Sequence, residues 1–433
     1  MGPSRAAPNI QRMRHGAAAG GAAWTPWLHD TCTEKRSTAM HSPDMNLSIT
    51  ADLRATLDLV YFRAGGGHLA AARALQARLA RTHPFWTVRL IDLFQVLDPD
   101  QRFVRLTGFA PEAYYNKRLA TGFTVGLAAE LRVLQAMIRL GHEKMVDRLA
   151  RHWEQTRPDL VVSLVPNFNR ALGASLQALP TRTPFVTVMT DLADLPPHFW
   201  VEPGFTEHLI CGTGHAVEQA LSQGIPAQRV HRVQGMMLAP DFHRPAVDDR
   251  AARRRQLGLD PQAPVGIVMF GGHGARAMLR IAEELDHLPL ILLCGHNESL
   301  RRSLAAQRAS APRHVLGFTD GVVQWMRLAD YFIGKPGPGS ISEALHCGLP
   351  VVVTRNAWTM PQERWNTEWI RQAQVGVVLS AFSQVRAGVE AILVDLPRWR
   401  ARVSQINNRA LIEVPGILQQ VLAAESTPQG PTS

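Results

Sequence analysis

The sequence predicts an α/β protein made of two doubly wound parallel sheets with helices on their faces. Three observations predict it. Short apolar runs alternate with helical segments along most of the chain, a glycine cluster follows the first strand of each series, and 433 residues are too many for one core. A Pro-flanked, charge-dense stretch from Asp241 to Pro264 separates the two series and marks a boundary. The expected organisation is an N-terminal extension (1–45), a Rossmann-like domain (46–243), a second Rossmann-like domain (244–405) facing the first across a cleft, and a terminal helix with a disordered tail (406–433).

The first series opens with the apolar run Leu57 to Phe62, the glycines Gly65, Gly66 and Gly67, and helical character from Ala70 to Leu79. Thr87 to Leu93 is the second strand, which completes a βαβ unit. From Pro99 to Trp153 the pattern turns helical, with Leu131, Leu134, Ile138, Met145 and Leu149 recurring at helix spacing. That apolar stripe suits first a helix packed on the sheet, and second an apolar and basic surface for a lipid acceptor. Three strands follow: Leu160 to Val165, Phe185 to Thr190 and His208 to Cys211. The second series runs through Val265 to Phe270, Leu290 to Cys294, Tyr331 to Ile333 and Val351 to Thr354, with a helix from Ser340 to His346. Helices from Ser383 to about Ala423 close the chain.

The formal charge of +10 draws the protein toward polyanions such as anionic lipid or phosphorylated substrates. No zinc-type spacing or nucleic-acid motif is present, so nucleic acid is not an expected partner. Cys32, Cys211, Cys294 and Cys347 form no CxxC pair and read as buried thiols of a reducing compartment. No run of about 18 apolar residues exists to span a membrane. The first 45 residues lack the apolar core of a signal peptide. Met40 and Met45 both sit just ahead of the first patterned segment, which makes Met45 a candidate start of translation.

Chemistry concentrates in a few loops. Gly334, Lys335, Pro336, Gly337, Pro338, Gly339 and Ser340 precede a helix that carries Glu343. Glycines admit a diphosphate close to the backbone, a helix start at Ser340 aims unpaired N–H groups at it, and Glu343 is placed for ribose hydroxyls. A Pro/Gly turn capping an ordinary helix reads the same way. Gly271 and Gly272 hold the equivalent place after the first strand of this series. In the first series, Gly65 to Ala70 fits a weak GxGxxA pattern with Asp92 at the distance of a dinucleotide-binding acid, which makes an NAD-dependent oxidoreductase a rival reading. His68 in that loop could deprotonate an acceptor hydroxyl or be structural. Asp191, beyond a strand end, is a candidate general base or a turn cap. The loop from Trp358 to Asn366 offers the polar and aromatic side chains that sugars require.

Five ordered motifs, GGGH (65–68), TDL (190–192), GFTD (317–320), KPGPGSISEAL (335–345) and PQERWN (361–366), resemble the monogalactosyldiacylglycerol synthase branch of the glycosyltransferases. More distantly they resemble the lipid II synthase of peptidoglycan assembly. The resemblance runs from about Leu57 to Val378. It implies a glycosyltransferase-B fold and inverting transfer of a hexose from UDP-galactose or UDP-glucose to diacylglycerol or a related lipid, by a protein peripheral on the cytoplasmic face of an anionic membrane. It implies no cofactor and no metal, the UDP-sugar being a substrate. Carried over, it places uracil at Phe318, Thr319 and Asp320, the diphosphate at Gly337, Gly339 and Ser340, ribose at Glu343, and the sugar at Gln362 and Glu363; Gly271, Gly272 and Pro338 are counted with the donor-binding residues. Asp191 and His68 fall on the acceptor side, Asp191 as the preferred base. The chain departs from the family in having Phe62, Arg63 and Ala64 ahead of GGGH and Leu69 after it. A UDP-sugar epimerase of the same architecture is the runner-up.

Overall fold

The computed structural model describes residues 54–63, 66–100, 127–245 and 249–426. The expected N-terminal extension, Cys32 and nearly all of the tail lie outside these residues.

Six parallel strands form the first sheet: β1 (Ala55–Tyr61), β2 (Trp86–Asp92), β3 (Leu160–Ser163), β4 (Phe185–Val188), β5 (His208–Cys211) and β6 (Val230–Arg232). Their order is β2-β1-β3-β4-β5-β6. The second sheet holds β7 (Gly266–Met269), β8 (Leu290–Leu293), β9 (Arg313–Leu316), β10 (Tyr331–Gly334), β11 (Val351–Thr354) and β12 (Gly376–Leu379), in the order β12-β11-β10-β7-β8-β9. Strands such as LVVS, FVTV and LILL are largely apolar and buried at every position because helices cover both faces of the sheet.

Strand order reverses direction between β1 and β3 in the first sheet and between β7 and β10 in the second. Crevices open beyond the carboxyl ends of strands at such points. The sequence motifs converge there: the loop around Gly66 and His68 follows β1, Gly271 and Gly272 follow β7, and Lys335 to Gly337 follow β10.

One core of the first sheet joins Leu57, Leu59, Val162 and Val186 to Leu75 and Leu79 of the helix Gly67–Thr82. Val414, Leu418 and Val421 of the terminal helix Ala410–Ser426 complete that core. The last described helix therefore packs on the sheet that β1 opens, although the second sheet intervenes. On the opposite face Val60, Val161 and Phe185 pack against Leu149, Trp153, Phe168 and Leu172.

Between the sheets, the linker helix Arg250–Gln256 is pinned by Arg254, which is buried and donates to the carbonyls of Leu328, Pro261 and Ala263 and to Asp330. Asp330 also takes Arg250 and Arg400. Burial of one carboxylate with three guanidinium partners fixes the linker against the lower edge of the second sheet. Cys211, Cys294 and Cys347 are free thiols, and burial pushes them up to about 12, 11 and 12 respectively.

Candidate active site

The loop expected to hold a diphosphate, Gly334 to Ser340, differs from its expected form in one respect. The helix begins at Pro338, two residues before Ser340, with Gly337 as N-cap in extended conformation. Proline is favoured at the first helical position because its φ is preset and that position's N–H has no partner in the helix. The free donors at this helix start are therefore those of Gly339 and Ser340. Space beside Gly339 is open, with no atom within 4 Å of where a Cβ would stand. Glu343 lies half-buried one turn along, and burial pushes its carboxyl up to about 7.

Glu363 is almost wholly buried and is held by Lys335 Nζ at 2.8 Å. Asn366 donates to the carbonyl of Pro336 at 2.8 Å, so the PQERWN segment and the diphosphate loop are tied together. Gln362 is half-buried beside Glu363. Thr319 takes the N–H of Gly321 into a local turn, Asp320 is exposed, and Phe318 is 56% exposed with its ring stacked on His296, centroids 4.1 Å apart. Sequence reasoning missed His296. Its position after β8 depends on Gly295, whose φ of +59° and closeness to the Gly272 carbonyl, 2.1 Å from a would-be Cβ, admit only glycine.

On the other side, His68 and Thr190 share a hydrogen bond of 2.9 Å, which brings the first glycine loop to the end of β4. Burial pushes His68 down to about 4, although the Leu164 carbonyl opposes the change. Asp191 is buried and accepts from the indole of Trp200 at 2.9 Å. Burial pushes its carboxyl up to about 7; the Trp200 hydrogen bond and the charge of Lys335 oppose this, while Glu363 and Asp194 add to it. Asp191 of the first sheet thus senses the Lys335–Glu363 pair of the second. His215 stacks on Trp365 and makes a further contact between the two.

Asp92 has a different task from the one a dinucleotide site requires. It caps the helix Leu93–Leu97 by accepting from Phe94 N–H and pairs with Arg63 at 2.9 Å. A second feature unforeseen in the sequence is an aromatic group beside His68: Phe62 lies 4.7 Å from its ring, with Phe94 and Phe168 edge-on at 6.1 and 6.5 Å from Phe62. Among the described residues no group of three or more His, Cys, Asp or Glu is placed to hold a metal ion.

Two parallel sheets of this order, with glycine loops at their switch points, define the glycosyltransferase-B architecture. The solved structure of MurG from Acinetobacter baumannii shares it with a TM-score of 0.56 at 14% identity, covering 84% of this chain and 99% of that one. UDP-GlcNAc 2-epimerase from Neisseria meningitidis, bound to UDP-GlcNAc, aligns with a TM-score of 0.52 at 15% identity over 84% of this chain and 100% of that one.

The resemblance read from the motifs is borne out within that class. Residues 68–235 match the family model described as Monogalactosyldiacylglycerol (MGDG) synthase. Probable monogalactosyldiacylglycerol synthase 2, chloroplastic, of Oryza sativa subsp. japonica is 33% identical over 233 residues, 51% of this chain and 48% of that protein. The chain spans about half the length of the curated relatives it matches.

Proposed function

We propose that the protein is an inverting glycosyltransferase that moves a hexose from UDP-galactose or UDP-glucose to a lipid acceptor such as diacylglycerol. The observation that carries this reading is Asp191, a buried carboxyl pushed up to about 7, placed where the charges of the Lys335–Glu363 pair act on it. The name of the rice relative and the UDP-GlcNAc of the epimerase structure support a sugar nucleotide as donor.

In the proposed reaction the acceptor oxygen bonds to the anomeric carbon as the bond from that carbon to the diphosphate breaks. UDP leaves, and the hydroxyl proton passes to Asp191. The N–H groups of Gly339 and Ser340 stabilise the charge that develops on the diphosphate. Glu343 takes ribose hydroxyls, Gln362 and Glu363 the sugar, and Phe318 to Asp320 with His296 the uracil.

Two features support a lipid acceptor. The aromatic group of Phe62, Phe94 and Phe168 adjoins His68. In the helix Leu127–Leu140, Val133, Met137 and Leu140 are 58%, 53% and 90% exposed, beside exposed Arg132 and Arg139. Aliphatic side chains flanked by arginine suit the boundary of an anionic bilayer. No described helix is long and apolar enough to cross a membrane. The proposed location is peripheral, on the cytoplasmic face.

The test is UDP release from each donor with and without diacylglycerol vesicles, in wild type, Asp191→Ala and Glu343→Ala. Vesicle-dependent release from one donor, lost in both variants, is expected. Interconversion of UDP-sugars without an acceptor would instead favour the epimerase reading, which the likeness to the Neisseria enzyme keeps in view.

A further inference from the structure

Asp191 has one hydrogen-bond partner among the described residues, Trp200, whose indole N–H donates to Oδ2 at 2.9 Å. Oδ1 has no described donor. Trp200 is itself held at three points. Its main-chain N–H donates to Asp194 Oδ1 at 2.9 Å, its carbonyl accepts from Asn169 Nδ2 at 2.9 Å, and its ring is fully buried. Asn169 in turn accepts from Ser163 Oγ at 2.6 Å, at the end of β3. Asp194 is fixed from its other oxygen by Gln223 at 2.9 Å. A chain of buried hydrogen bonds thus runs from the central strand of the first sheet, through Asn169 and Trp200, to a single oxygen of Asp191.

We infer that Trp200 is the positioning residue of Asp191, holding Oδ2 so that Oδ1 is the atom that receives the acceptor proton. This rests on the role proposed above for Asp191. A buried carboxylate needs a donor, and a buried indole needs an acceptor. Phenylalanine would fill most of the same volume without the N–H, so packing alone does not call for tryptophan here. The supporting residues are rigid, as preorganised acid–base groups require: movement of Trp200 would break bonds on its N–H and its carbonyl at once. The ring centroid of Trp200 also lies 6.2 Å from that of His68, so both candidate bases are set around one indole.

Trp200→Phe tests the assignment. Loss of a donor to the charged form raises the carboxyl of Asp191, by about one pH unit for a bond of this kind. The shift is read directly by 13C NMR of aspartate-labelled protein, with Asp191→Asn assigning the resonance, and independently as the acid limb of kcat/KM. In the Asp191→Asn background, Trp200→Phe should have no further effect on activity. If Trp200→Phe does not fold, Asn169→Ser, which releases the Trp200 carbonyl, carries the test with a smaller shift in the same direction. A carboxyl titration that does not move in a folded variant would overturn the inference, whatever happens to the rate. A wild type that releases no UDP, while the titration moves as expected, would sink the transferase reading and support the Trp200–Asp191 link alone.

Discussion

His215 lies flat on Trp365, with ring centroids 4.5 Å apart and planes 4° from parallel. His215 stands at the start of the helix Gly214–Ser222 beyond β5, and Trp365 at the start of the helix Arg364–Ala373 that follows Glu363. The stack therefore joins the first sheet, proposed to take the acceptor, to the segment proposed to hold the sugar. An aromatic pair of this kind is worth about 0.5–1.5 kcal/mol. Trp365→Ala should lower kcat/KM by roughly two- to tenfold with a fall in Tm of only a few degrees. Steady-state kinetics and thermal melting check both.

The two candidate bases separate by pH. Burial pushes Asp191 up to about 7 and His68 down to about 4. A base works in its deprotonated form, so with Asp191 as base kcat/KM should rise with pH through about 7 and level off above it. With His68 as base the rise would fall near 4. His68→Ala should lower the rate without moving the limb near 7.

The same displacement makes a stability prediction of definite sign. The Asp191 carboxyl is raised from 3.8 to about 7, so the folded state binds the extra proton between those values. Stability falls as pH rises through that window and stays low above it. Asp191→Asn should therefore melt higher than wild type at pH 8, by the equivalent of a few kcal/mol, and the difference should vanish toward pH 4. Glu343→Gln should behave alike, since burial raises Glu343 from 4.5 to about 7. Melting curves across pH check this.

Much of the architecture was legible because strands covered on both faces are rich in β-branched and other apolar residues, and LVVS, FVTV and LILL announce themselves without context. The glycine loops were legible for the same local reason. The start of the diphosphate helix was read two residues late, since Pro338 looked like part of the turn and is the first helical residue. Trp200 and His296 were out of reach. Trp200 meets Asp191 by a loop that folds back over nine positions, and His296 meets Phe318 from a different βα connection. No periodicity encodes either encounter. Asp92 misled because an acid at the end of a second strand serves a ribose or a helix cap equally well, and here it caps.

Lys335 pairs with Glu363, and its charge also acts on Asp191. Removing it leaves a carboxylate that is only 5% exposed without its cation. Lys335→Ala should destabilise the fold by about 2–3 kcal/mol and move the acid limb of kcat/KM upward, because the charge that favours ionised Asp191 is gone. Denaturant melts and the pH profile measure the two effects separately.

The exposed face of the helix Leu127–Leu140 offers a test independent of catalysis. Val133→Ser, Met137→Ser and Leu140→Ser together should cut binding to anionic vesicles by tenfold or more, given about 25 cal/mol for each Å² of apolar surface lost to the bilayer. Melting should hardly change, since these side chains face outward. Vesicle co-sedimentation is the measurement.

The terminal helix Ala410–Ser426 closes the core begun by β1. Synthesis proceeds in one direction, so Leu75 and Leu79 on the helix Gly67–Thr82 wait without this cover until Val414 and Leu418 have been added. The earliest half of the protein is thus the last to be sealed, and a nascent chain halted in the second sheet carries an open apolar seam.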